Sequence, residues 1–489
     1  EASTVEVRDK VFLYANADRG KVDYDQIDIK SVVDSANASL NYKNQALRLN
    51  GVKNLEFSRR QRVAVVPDEQ RLTLKQDRDM EFHGLVYAGY STFRGRWFHF
   101  DYDPFHIEMD SIHFMDLYVP TDMSDQPVSI GSRIEDLSGV LLIDAPKNKS
   151  GRDDIPIFPS FQSKGDSYVY YDRGGQDSTY LRDSFYFELK PFSFNSLDRY
   201  GPEDIRFPGT MASSGIFPEF EETLVLQEED LSLGFVRATP EEGFDTFGGK
   251  GRYKGDVILN NSGLQGKGNL NYLNASIDSE DLLFKPREVT ASADAFDLEE
   301  ERTSQRETPE VHGSSVSIDW KPYKDSMYVS STEGTPFEVY KDLEANLDGT
   351  VVLSPGGLSG IGTLSWERAE MKSDLFSLGA ASARADTTTI GIRAIGAPDE
   401  FALYTDGVNG YVDFEANDAA FVANEGELET TLPFNQYKTS MNEFSWDMTE
   451  ELIDFKSDNT QRGRFTSIHP DQDSLNFEAE TAAYDLKNN

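Results

Sequence analysis

Cysteine is absent from this sequence. That excludes disulfides, thiolate metal sites and cysteine nucleophiles. Long apolar runs are absent too. None approaches the ~20 residues that carry a helix across a bilayer, so no transmembrane helix is expected. Basic residues are few, 47 against 86 acidic ones, for a formal net charge of −39. A surface of that sign repels phosphate backbones and anionic headgroups, which argues against nucleic acid and anionic membranes as partners. Cations, cationic partners and neutral glycans stay compatible, and the plain consequence is solubility in a salty medium. Helical periodicity is scarce. The best helix candidate is the charged stretch Phe296 to Arg306 (FDLEEERTSQR), which reads equally as a solvated linker. Catalytic signatures are missing as well: there is no His-Glu-x-x-His and no Gly-x-Ser-x-Gly elbow, and SSG at Ser213 to Gly215 is not one. With 86 acidic residues, carboxylate pairs for glycoside hydrolysis are available anywhere, and nothing singles one out.

What is present is β character. The chain has 489 residues, more than one ordinary domain, and 32 Phe with 22 Tyr supply a sizeable core. FHFDYD at Phe98 to Asp103 and FHIEMD at Phe105 to Asp110 alternate apolar and polar residues. Period two puts one set on a buried face and the other toward water. Turn clusters such as NNSG, SPGG, DRGG and KNKSG separate such runs. Between Gly139 and Arg237 the aromatic runs are interrupted by proline, as in IPIFPSF, which suits edge strands and packed loops. The chain opens at Glu1 with EASTVEVRDK, neither an initiator Met nor a signal peptide, and the expectation is a processed or excised segment of a longer parent.

An internal repeat organises the second half. GDVILNNSGLQGKGNLNYLNASIDS from Gly255 recurs as GTVVLSPGGLSGIGTLSWERAEMKS from Gly349, an offset of 94 residues without a gap. Gly266 and Gly268 fall on Gly360 and Gly362, Leu270 on Leu364, and Tyr272 on Trp366. The expected unit is strand, glycine turn, strand, with GLQGKG and GLSGIG forming the turn. A phosphate-binding loop is rejected, because no helix follows and no Lys-Ser/Thr pair closes the motif. Tyr272 and Trp366 are expected in the core, with a sugar-stacking platform as the alternative. Phe82 to Phe114, beginning FHGLVYAGYSTFRGRWFHF, is a weak cousin punctuated by Gly84, Gly89 and Gly95.

This pattern, glycine-punctuated strands ending in Gly-Leu-x-Gly-x-Gly-x-Leu, resembles the β-rich repeats of the AsmA/TamB and OstA-like envelope proteins. The chain is also similar in style to large extracytoplasmic proteins of Bacteroidota. The resemblance covers mainly Gly255 to Ala397. It implies an elongated β groove that handles lipid or supports envelope biogenesis, and no catalytic residues. This sequence departs from it in its many charged and aromatic residues and in lacking the N-terminal anchor of the AsmA/TamB proteins.

The densest chemistry lies in HFDYDPFHIEMDSIH, near which fall His83, His99, His106 and His113, four of the six histidines. His99, Asp101 and Asp103 share one strand face; His106, Glu108 and Asp110 share another after Pro104. Side by side, the two strands offer His99, Asp101, His106 and Glu108 as mixed imidazole and carboxylate ligands for Zn²⁺ or another divalent cation. The plainer reading is the solvated side of an amphipathic hairpin whose Phe98, Phe100, Phe105 and Ile107 face the core. Asp166, Asp172 and Asp177 are ordinary turn acids or oxygen ligands for Ca²⁺, although no EF-hand loop is present. Asn37, Asn148, Asn260 and Asn274 stand in Asn-x-Ser contexts, incidental in a bacterial chain.

The expected fold is all-β: an elongated array of mostly antiparallel sheets with internal repeats of about 94 residues. The expected divisions are an N-terminal β domain over 1–135, an aromatic and proline-rich segment over 136–221, β repeats over 222–310 and 311–400, and a C-terminal β segment over 401–489. The expected role is a non-catalytic structural segment of a large bacterial cell-envelope or secreted assembly, extracytoplasmic, with other envelope or secreted proteins as partners and no cofactor beyond that divalent cation. The alternatives are a lipid- or glycan-binding module and a glycan-active enzyme.

Overall fold

Alternation settles which side of each strand meets the core. Along Ser91–Asp101, Phe98 and Phe100 are fully buried while His99 and Asp101 stay half-buried on the other face. The structure, a computed structural model, describes residues 4–8, 11–14, 27–31, 36–121, 124–172, 179–332, 334–340, 343–424, 429–457 and 462–488. Among these the helical elements are single turns such as Asp68–Gln70, and no helix is long and apolar enough to cross a membrane. The fold is all-β, and its strands pair antiparallel. The chain forms two compact units, one of Glu1–Arg237 with Ile258–Leu264, the other of Ala238–Val257 with Gln265–Asn489.

In the first unit Met80–Ala88, Ser91–Asp101, His106–Thr121 and Ser124–Leu142 are successive antiparallel neighbours. The last is 19 residues long, against a usual strand of roughly five or six. The length arises because each strand crosses a bend that divides the ladder into two limbs. On one limb Val63–Pro67 pairs with the Gly84–Ala88 half of its neighbour; on the other, Arg71–Leu74 pairs with Met80 and Glu81. The ladder forks again where Ser160–Ser163 takes residues 139–142 and Ser167–Tyr170 takes Glu135. The limbs face each other through their apolar rows. Phe93 of one meets Phe161 of the other at 4.9 Å between ring centroids, and Phe57 meets Phe100 at 4.4 Å. The proline-rich stretch supplies short strands on this ladder, such as Phe185–Leu189, with loops between them.

The second unit repeats the plan. Ala345–Ser354, Gly357–Trp366, Ala369–Leu378, Ser382–Ala394 and Ala397–Asp413 pair in order. Beyond them one limb continues through Asp418–Ala423, Glu443–Asp447 and Leu452–Lys456 to Thr481–Asp485. The other continues through Thr430–Leu432, Tyr437–Thr439 and Gly463–Ser467 to Asn476–Ala479. The sequence repeat is a repeat of strands: Gly251–Asn260, Gly263–Tyr272 and Ala275–Lys285 begin 94 residues before Ala345–Ser354, Gly357–Trp366 and Ala369–Leu378. Tyr272 and Trp366 are buried, Tyr272 against Trp320 at 5.1 Å and Trp366 against Phe414 at 5.6 Å.

Two expectations are corrected. The shared glycines do not form the turn: GLQGKG and GLSGIG lie inside Gly263–Tyr272 and Gly357–Trp366, and residues 261–262 and 355–356 make the turns. Gly362 instead stands opposite Gly349 at the bend, at φ 133° and 150°, and a Cβ on either would lie 2.2 or 2.0 Å from a carbonyl oxygen of its neighbour. Two bare Cα positions facing each other let adjacent strands turn together from one limb to the next. Gly255 with Gly268 repeats this arrangement, and Gly84 stands opposite Gly95 in the first unit. The helix candidate is strand and hairpin: Phe296 and Leu298 are buried at alternate positions of Glu288–Leu298, and Glu301–Arg302 pairs with Glu307–Thr308. Its charges are the solvated residues of that excursion, with Arg306 ion-paired to Glu301.

Candidate functional site

The hairpin from Ser91–Asp101 into His106–Thr121 closes through residues 102–105, where the Phe105 N–H donates to the Asp101 carbonyl at 3.1 Å. Its register sets His99 opposite Glu108 and Asp101 opposite His106. All four expected ligands therefore share the outer face, while Phe98, Phe100, Phe105 and Ile107 are fully buried behind them. Asp101 is the centre of the group. Its Oδ1 lies 2.9 Å from His99 Nε2 and its Oδ2 lies 2.9 Å from His106 Nε2.

One member escaped the sequence reading. Asp79 precedes Met80–Ala88 and shows no alternation signal; the Tyr102 N–H donates to its Oδ1 at 2.9 Å and fixes it beside the hairpin tip. Ligand atoms of Asp79, His99 and Asp101 lie within 4.8 Å of one another, as do those of Asp101, His106 and Glu108. The two triads differ in their surroundings. Lys164 Nζ lies 3.3 Å from Glu108 Oε1 and forms an exposed ion pair with it. Glu81 Oε1 lies 3.8 Å from His99 Nδ1, and Lys75 holds Glu81 in turn.

The remaining candidates fall elsewhere. Asp103 is exposed in the turn, and Asp110 and His113 are exposed on the neighbouring strand. His83 Nδ1 accepts from the Trp97 N–H at 2.9 Å. Asp166 is exposed, and Asp172 is engaged by Arg182, which also binds Glu135. Asp177 lies outside the described residues. Asn148 is buried, its amide donating to Asp144.

Two further surfaces stand out in the second unit. Among the described residues, Asn476–Ala479 pairs only with Gly463–Ser467, and Thr481–Asp485 only with Leu452–Lys456, so each limb ends on an open edge. A cleft between these ends is lined by Leu432, Phe465, Phe477 and Tyr484, with Phe477 49% exposed. A second cleft, polar in character, is lined by Thr363, Lys372, Asp374, Thr389, Tyr404 and Asp406. Tyr404 is exposed there and packs on Phe401 at 5.5 Å. No family model matches this sequence, and no curated protein matches it.

Proposed function

We propose that this chain is a non-catalytic structural segment of a larger bacterial cell-envelope or secreted assembly, joined to its partners by strands added at the end of the second unit. The observation that carries this reading is the pair of edges at Asn476–Ala479 and Thr481–Asp485 that no described strand covers, with apolar side chains exposed between them, whether the covering strand comes from a continuation of the same chain or from a separate partner. An open edge offers unpaired N–H and C=O groups to an incoming strand, and the apolar cleft gives that strand side-chain sites. Glu478 and Glu480 at this end are paired with Arg464 and Arg462, so the charge that bears on association is that of the whole chain, which carries −39. That net charge opposes association of a second copy and favours a different, less acidic partner.

The binding alternatives draw on different features. A lipid groove would need open space between the limbs, and that space holds fully buried Leu347, Leu353 and Leu364. A glycan-binding role is favoured by the polar cleft and exposed Tyr404, an arrangement suited to stacking a sugar ring.

The test is site-specific photo-crosslinking in the source cell, with the photoreactive residue in place of exposed Asn476 or Thr481 and a control at exposed His113. The expected result is edge-specific cross-links to an extended segment of an envelope or secreted protein, read by peptide mass spectrometry. Cross-linking no greater than at His113, or recovery of the chain in the cytosol, defeats the proposal. Retention of a neutral oligosaccharide that is lost in Tyr404→Ala would favour the glycan-binding alternative instead.

A further inference from the structure

We infer that Asp79, His99 and Asp101 form a binding site for one Zn²⁺-class divalent transition-metal ion at the tip of the first unit's His-rich hairpin. Three observations converge on this triad. Its ligand atoms already lie within 4.8 Å of one another, with His99 Nε2 and Asp101 Oδ1 at 2.9 Å. Metal–ligand bonds of about 2.0–2.2 Å place tetrahedral ligands roughly 3.3 Å apart, so side-chain rotation alone brings the three onto one ion. Two of the ligands are also oriented from behind. The Tyr102 N–H fixes Asp79, and His106 Nε2 engages the far oxygen of Asp101. Glu81 Oε1 stands 3.8 Å from the far nitrogen of His99, beyond hydrogen-bond reach, with Lys75 on the same oxygen.

The third observation is the contrast with the neighbouring triad. There the Glu108 carboxylate is held by the Lys164 ammonium, a cation standing where a metal ion would have to be tolerated. Among the described residues no comparable ammonium is paired with Asp79 or Asp101, and the nearby Lys75 is engaged with Glu81. The donor set selects the ion. One imidazole nitrogen with two carboxylates and no thiolate suits Zn²⁺, Co²⁺ or Mn²⁺, whereas Ca²⁺ and Mg²⁺ take all-oxygen shells. All three side chains are half-buried, so water completes the coordination from the open side. The ion adds a tie between the loop before Met80–Ala88 and the end of Ser91–Asp101, beside the strand pairing of Met80 with Phe100, the Tyr102 N–H to Asp79 hydrogen bond and the packing of Arg78 on Tyr102.

The test uses the full chain stripped with a chelator and titrated calorimetrically with Zn²⁺ and, separately, Ca²⁺. One Zn²⁺ per chain is expected, with Ca²⁺ at least tenfold weaker. Asp79→Asn and His99→Ala each lower Zn²⁺ affinity tenfold or more, His106→Gln lowers it about tenfold through Asp101, and His113→Ala leaves it unchanged. Co²⁺ loaded into the unaltered chain gives visible d–d bands of nitrogen–oxygen ligation, a readout that needs no variant to fold. Unchanged Zn²⁺ affinity in Asp79→Asn, loss of binding in His106→Gln alone, equal Ca²⁺ affinity, or the absence of saturable binding and of Co²⁺ bands would each overturn the site.

Discussion

At Gly362 the backbone takes φ 133°, and a Cβ would stand 2.2 Å from the Asp348 carbonyl oxygen. An alanine there must strain its own backbone and push a neighbouring strand apart at the bend. Gly362→Ala is expected to cost about 2–4 kcal/mol, seen as a lower urea midpoint, since large single-site losses come from such strained positions. Gly356, in the preceding turn, has Ser354 Oγ 3.6 Å from the position of a Cβ as its nearest neighbour. Gly356→Ala should stay within ~0.5 kcal/mol of the parent. Equal losses at the two positions would remove the bend from the account. The 94-residue offset made Gly268 and Gly362 visible as a matched pair, but not what they do. Their role depends on the cross-strand partners Gly255 and Gly349, and register between strands is set by pairing that a single strand's pattern does not carry. The burial of Tyr272 and Trp366 was legible, because each continues the apolar alternation of its own strand.

At the scale of the element, the two faces of the His-rich hairpin carry different energies. Phe98 is fully buried and packs edge-on against Phe82 at 5.8 Å. Phe98→Ala should destabilise the first unit by about 3–5 kcal/mol, the usual cost of emptying a phenylalanine site. His99→Ala, on the outer face of the same strand, should cost under ~1 kcal/mol in chelator, because half-exposed polar pairs contribute little. Denaturant titration of both variants separates the faces; a larger loss for His99 would mean that the outer cluster holds the hairpin together. His99, Asp101, His106 and Glu108 could be read from sequence because alternation and a tight turn put them on one face. Asp79 and Lys164 could not. They come from 20 residues upstream of His99 and 56 residues beyond Glu108, through loop contacts that no periodicity encodes. Phe296 to Arg306 was ambiguous for a related reason: a dense run of charges masks the short alternation of Phe296 and Leu298.

At the scale of the whole molecule, buried tyrosines set an alkaline limit. In the first unit Tyr200 donates to the Tyr90 carbonyl at 2.8 Å and accepts from the Tyr118 N–H at 3.1 Å, and burial pushes its pKa up to about 12. Burial likewise raises Tyr171, whose hydroxyl donates to the Leu233 carbonyl. In the second unit burial lifts Tyr272 to about 12 and also raises Tyr340. The unfolded chain releases these protons near the ordinary value of about 10, whereas the folded units keep them. Stability is therefore fully present below pH ~10 and falls as pH rises toward 12, where the unfolded state binds fewer protons than the native one. A two-unit gap such as that of Tyr200 removes roughly 2.7 kcal/mol once pH has risen past ~12, and tyrosinate charge added to an already acidic chain deepens the loss. Base titration should show the absorbance of buried tyrosinate appearing together with loss of the β circular-dichroism signal, and Tyr200→Phe should move the transition of the first unit to higher pH once its lower starting stability is subtracted. Full tyrosinate absorbance by pH ~11 with the β signal intact would mean that these hydroxyls reach water without unfolding, and that the space between the limbs is open rather than packed.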